Sequence, residues 1–102
     1  MGASPGFEWD AGNQSKCQSH GVSIAEIETV FLSDPYVGRD ERHSHQEDRY
    51  VAVGRNAAGR PVLVIYTLRV QDGLERVRPL SARYMHVKEV RWYEEAAAKD
   101  HH

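Results

Sequence analysis

RYVAVGRNAAGRPVLVIYTLRVQDGLERVRPL (residues 49–80) decides the fold. Arg49 to Arg55 alternates apolar and polar side chains at a period of two, the pattern of a strand with one buried face. Asn56-Ala57-Ala58-Gly59 is a turn. Val62 to Leu68 is apolar on both faces, as a central strand requires. Asp72-Gly73 is a second turn. Leu74 to Leu80 alternates again around Val77, with Arg76 and Arg78 on the opposite face. Strands joined in series by short turns make an antiparallel meander.

Helical periods flank the meander on both sides. Upstream, Ser23 and Glu26 match a capping box, and Val22 with Ile27 matches a hydrophobic staple. Ile24, Ile27, Val30 and Phe31 follow at helical spacing, and Asp34-Pro35 predicts a stop near Ser33. Further upstream, Asn13 to His20 reads as a polar helix ended by Gly21. Phe7-Glu8-Trp9-Asp10 sets two aromatics on one face of a short strand. The polar run Tyr36 to Asp48 reads as a loop. Downstream, a last helix is expected from about Met85 to Ala97, with Val90, Tyr93 and Ala97 on one face. The order predicts an α+β fold, a small antiparallel sheet packed with N-terminal helices and a C-terminal helix. Residues 7–98 form one domain and residues 99–102 a frayed tail, whose closing His101-His102 has the form of a tag remnant.

The chain of 102 residues is 40% hydrophobic and 27% charged, a globular composition. No apolar run approaches membrane-spanning length, and MGASPGFEWD lacks the regions of a signal peptide. Cys17 has no cysteine to pair with, so a reduced thiol in the cytoplasm is expected. The net charge of −2 conceals a segregation. Residues 1–48 hold three Lys/Arg against nine Asp/Glu, and residues 49–91 hold nine against three. A local basic surface binds phosphates even on an acidic chain. The plain alternative is that arginines decorate exposed strand faces.

Arg69, Arg78, Arg83 and Lys88 fall near the end of the sheet and the start of the last helix. If they converge, they form a phosphate site at a helix N-terminus. The alternative is pairing with Glu75, Glu89 or Glu94. Tyr84 and His86 add groups able to move protons. Cleavage of RNA by its own 2′-hydroxyl needs a base, an acid and cations around the phosphorane. Tyr50 and Tyr66 have the choice of stacking on bases or packing in the sheet. His43-x-His45, with His20 and His86, lacks the cysteines and spacing of zinc motifs, and the sequence calls for no metal and no cofactor. Cys17 reads as a small helix-face residue and Glu47 and Asp48 as solvated loop charge.

The motifs FEWD, HGVS, His43-Ser44 with Glu47, GR, T-x-R, SAR and YEE follow one another across residues 7–95. In that order they resemble the BrnT family, toxins of type II toxin–antitoxin systems. The resemblance implies a RelE-like fold and metal-independent cleavage of RNA that stops translation. It also implies a BrnA-type antitoxin as partner, whose ribbon–helix–helix part carries the DNA contacts to the operator. On that footing Arg83 and Arg78 are the expected charge stabilisers. His20 and Tyr84 are the expected proton-transfer groups, with Lys88 in reserve. Tyr50, Thr67 and Arg69 are the expected RNA-binding residues. The alternative is that His20 caps the first helix and Tyr84 packs beneath the sheet. Many members carry an asparagine and more lysines before HGVS, where this chain has Lys16-Cys17-Gln18-Ser19. They also carry a more basic run after SAR. A toxin-derived binding subunit without catalysis, or a metal-dependent enzyme using the histidines, are the competing functions. Trp92 is a candidate anchor for the antitoxin.

Overall fold

The computed structural model describes residues 6–43 and 45–100. Ser44 of the His-Ser element and the closing His101-His102 lie outside the described residues. Its elements are β1 (Gly6–Phe7), α1 (Ala11–Cys17), α2 (Ile24–Leu32), β2 (Tyr36–Arg39), β3 (Tyr50–Arg55), β4 (Pro61–Gln71), β5 (Leu74–Tyr84) and α3 (Val87–Asp100), with a single 3₁₀ turn at Glu41–His43. The sheet runs β1-β5-β4-β3-β2. The last four strands are the antiparallel meander that alternation predicts, now with β2 at its edge, and β1 lies parallel to β5.

β2 corrects the reading of residues 36–48 as a loop. Asp34 takes a left-handed backbone (φ 56°) and ends α2, turning the chain back along β3. Tyr36 pairs with Val53 and Arg39 with Tyr50. A strand of four residues containing glycine and followed by DERH gives too short an alternation to stand out.

β5 corrects a second boundary, because it runs past Leu80 to Tyr84. Val77 and Pro79 pair with Leu68 and Tyr66, but Ile65 pairs with Ser81, leaving Leu80 as an extra residue. This is a β-bulge, and it reverses which residues face inward. Val77 and Pro79 are buried before it and Ala82 after it. The period of two therefore breaks at Leu80 although the strand continues. The Met85 N–H still bonds the Pro61 carbonyl at 3.1 Å, so α3 starts at Val87 and not at Met85.

One face of the sheet packs on α1 and α2. Its core joins Cys17, Val22, Ile27 and Val30 to Ala52, Val62, Val64, Tyr66, Val77 and Ala82. Gly54 allows the close approach of α2, since a Cβ there would lie 3.2 Å from the Val30 carbonyl oxygen. The Ser23–Glu26 capping box is present as predicted. A second one, Asp10 with Asn13, starts α1. α1 ends at Cys17, earlier than His20, and Gln18 is its C-cap.

FEWD divides between three tasks. Among the described residues β1 is Gly6–Phe7, so Trp9 lies beyond the short strand expected to hold it, and Phe7 packs edge-on to Phe31 at 5.6 Å. Trp9 donates to Glu28 at 3.0 Å. Glu8 and Asp10 each accept from Arg78 at 2.9 Å. Asn13, buried, donates to the Glu8 carbonyl at 3.0 Å and the Pro79 carbonyl at 2.9 Å. These bonds fix β1 and α1 to β5 just before the bulge.

Candidate active site

The bulge turns Ser81 and Arg83 to the face away from α1 and α2. Ile65 and Leu63 pair with them, and Val51 and Val53 continue the row across β3. α3 covers part of this face through Tyr93, whose ring lies 5.6 Å from that of Tyr36. Glu94 adds an ion pair to Arg55 at 2.8 Å. Beside α3 a cleft of about 540 Å³ remains open, with Val51, Leu63 and Ile65 as its floor. Ser81, Arg83 and His20 line it on the β5 side. Among the described residues, β1 pairs with β5 at Arg76 and Val77. The edge beyond Pro79 is therefore free for the α1–α2 turn, which carries His20 to the cleft.

Arg83 is held by a two-point fork. Its Nη1 donates to Glu89 Oε1 at 2.8 Å and its Nη2 to Oε2 at 2.7 Å. Glu89 Oε1 also accepts the His86 N–H at 3.1 Å, and the His86 carbonyl receives the Val90 N–H. Glu89 thus closes the start of α3 and the end of β5 together. The Arg83 guanidinium, then the His86 N–H, hold its carboxyl down to about 2, and the fork with Glu89 raises Arg83. This is the pairing named from sequence as the alternative to a free arginine.

Of the expected catalytic residues, the structure brings together Arg83 and His20. Arg78 lies opposite Thr67, four β4 residues from Leu63, about 13 Å along the strand. Its guanidinium is engaged by Glu8 and Asp10, so it does not converge with Arg83. Tyr84 lies on the helical side. Its hydroxyl donates to Glu26 Oε2 at 2.7 Å, and Arg60 stacks 3.6 Å from its ring centre. The bond to Glu26 raises the phenol further, and Glu26, held first by the Asn56 amide, falls to about 2. Lys88 is exposed on the first turn of α3, apart from the residues that line the cleft.

Tyr50, Thr67 and Arg69 do share one hollow, of about 450 Å³. Glu47, Asp48 and Glu75 line it too. Arg69 lies 3.5 Å from Glu47, and Thr67 donates to the Asp48 carbonyl at 2.7 Å. Among the described residues, no three His, Cys, Asp or Glu side chains gather as metal ligands. Cys17 is buried, and burial pushes its thiol up to about 11.

The cleft also has residues that sequence did not single out as a site. Arg39 and Arg42 reach it from β2 and the 3₁₀ turn, beside Asp40 and Glu41. Arg39 is paired with Asp48 at 2.8 Å. Trp92, the candidate antitoxin anchor, also lines it from α3, 62% exposed and 4.9 Å from the Tyr93 ring.

A family profile described as the ribonuclease toxin BrnT of type II toxin–antitoxin systems matches residues 9–89. The chain belongs to the BrnT family. No curated protein matches it. A type II system supplies an antitoxin, so a BrnT chain has a protein partner as well as RNA. The matched stretch takes in His20, Ser81 and Arg83 and closes on Glu89. Trp92 and Tyr93 lie beyond it.

Proposed function

We propose that this BrnT protein is a metal-independent endoribonuclease of the cytoplasm, whose cleavage of RNA stops translation and which a BrnA-type antitoxin neutralises. The observation that carries this reading is the meeting of His20 and Arg83 at one cleft within a ribonuclease-family chain. An imidazole moves protons near neutral pH, and a fixed guanidinium stabilises charge on a phosphorane where it develops. Arg83 is the charge stabiliser in this reading and His20 the proton-transfer group, with Lys88 as a second donor. Arg78 and Tyr84 act through β5, Arg78 tying its middle to Glu8 and Asp10 and Tyr84 its end to Glu26. Tyr50, Thr67 and Arg69 take the RNA flanking the cleft. The antitoxin covers the cleft side of the molecule, with the exposed Trp92 as an anchor in an interface of roughly 800 Å² per partner. Its ribbon–helix–helix part makes the operator contacts of the complex.

The test is cleavage of a defined RNA in EDTA by the antitoxin-free protein, beside Arg83→Ala. Products ending in a 2′,3′-cyclic phosphate and a 5′-hydroxyl, from the parent alone, are expected. A second reading is favoured by one observation, the carboxylate already bound to Arg83. In that reading the protein is a toxin-derived subunit that binds antitoxin without cutting. A folded parent that binds antitoxin and leaves RNA intact, with and without ribosomes, would establish it.

A further inference from the structure

The geometry of the Arg83–Glu89 fork leaves one edge of the guanidinium unused. Arginine carries five N–H groups in a plane. Glu89 takes one from Nη1 and one from Nη2, an end-on pairing. The other Nη1–H points to the Tyr84 carbonyl at 3.4 Å. What remains is the Nε–H and the second Nη2–H, which lie parallel on the side-on edge. Among the described residues that edge has no partner. The Ser81 hydroxyl also has none, and Ser81 stands two residues before Arg83 on the same face of β5, about 6.6 Å away by strand rise. Both residues line the cleft.

We propose that Ser81 and Arg83 form a clamp for one phosphodiester group, Arg83 giving its Nε–Nη2 edge and Ser81 its hydroxyl, with Glu89 as the positioning residue that holds Arg83 in that pose. The proposal rests on the reading of the cleft as an RNA site. Two parallel N–H groups match two phosphate oxygens, and the hydroxyl donates to a third contact point. A free arginine would lose rotamer freedom on binding. Glu89 removes that loss beforehand, because it is itself fixed by the His86 N–H. A carboxylate on the end-on edge leaves the side-on edge sterically open. Glu89 therefore supports phosphate binding and does not compete with it.

The two possible roles of Glu89 predict opposite signs. The full chain is titrated with a 2′-O-methyl RNA that cannot be cut, and cleavage of the matching RNA is followed in EDTA. Glu89→Gln keeps an acceptor for the His86 N–H and loses half of the fork. It is expected to weaken binding about tenfold and to lower kcat further, in a protein that is somewhat less stable but still folded at the assay temperature. Ser81→Ala is expected to weaken binding by about threefold to tenfold. Arg83→Lys should be as poor as Arg83→Ala, because one ammonium cannot supply parallel donors. In an Arg83→Ala background Glu89→Gln should have no further effect on binding.

Tighter binding in Glu89→Gln would make Glu89 a competitor and overturn the proposal. An equal loss from Glu89→Gln with and without Arg83 would make its role merely structural, and also overturn it. A parent that binds RNA without cutting it, with binding lost in Ser81→Ala and Glu89→Gln, would end the ribonuclease reading and leave the clamp standing. A parent that cuts RNA while these variants bind normally would end the clamp alone. A folded parent that binds no RNA would end both.

Discussion

The Asn13 side-chain amide donates at 2.9 Å to the Pro79 carbonyl, 66 residues later in the chain. Its second N–H bonds the Glu8 carbonyl and its oxygen accepts the Asp10 N–H, so the amide is fully used inside the protein. Asn13→Ala leaves the Pro79 carbonyl buried without that donor. A loss of about 2 kcal/mol in urea unfolding is expected, with the slope unchanged.

Arg78 should also reveal itself in stability. Its side chain is only 18% exposed and binds both Glu8 and Asp10. Arg78→Ala leaves two carboxylates without their counter-ion, and a lower urea midpoint is expected. Loss of cleavage in Arg78→Ala at full stability would instead give Arg78 the contact with RNA expected from sequence.

Tyr84→Phe removes the bond to Glu26 while keeping the ring beneath Arg60. A small loss of stability is expected, with cleavage retained. A fall in cleavage of a hundredfold or more would mark the phenol as a proton-transfer group.

Glu26 and Glu89 are both lowered from 4.5 to about 2. The folded protein therefore binds these protons less readily than the unfolded chain. Their contribution is complete above about pH 5 and is lost as the pH falls from 4.5 toward 2. The urea midpoint should be flat from neutral pH to about pH 5 and then decline. The double variant Glu26→Gln with Glu89→Gln should start lower and decline less steeply.

The Cys17 thiol is buried, and burial has raised it to about 11. A disulfide reagent at neutral pH should label it at the rate of unfolding, and at once in urea. Rapid labelling of the folded protein would place the thiol at the surface.

The meander and α2 were legible because their signals are local and repeated: alternation from Tyr50 to Leu68, and a capping box ahead of a helical stripe. What hid the rest was physical. β2 owes its existence to pairing with β3, which no window of its own sequence contains. β5 seemed to stop at Leu80 because the bulge inverts the alternation there. The same inversion obscured the site. Arg69, Arg78 and Arg83 all sit on β4 and β5, but their convergence depends on register, and the register spreads them along the strands. Arg83 and His20 come to one cleft from elements 63 residues apart in the chain, a placement that no local signal contains.

Leu80 works as a phase shifter. It is the residue the ladder skips, so a chain without it would still set Ser81 opposite Ile65 and Arg83 opposite Leu63. A ladder that paired Leu80 itself with Ile65 would instead bring Ser81 opposite Val64 and Arg83 opposite Val62, on the core face. The cleft thus depends on a reading frame in three dimensions, in which one residue is passed over.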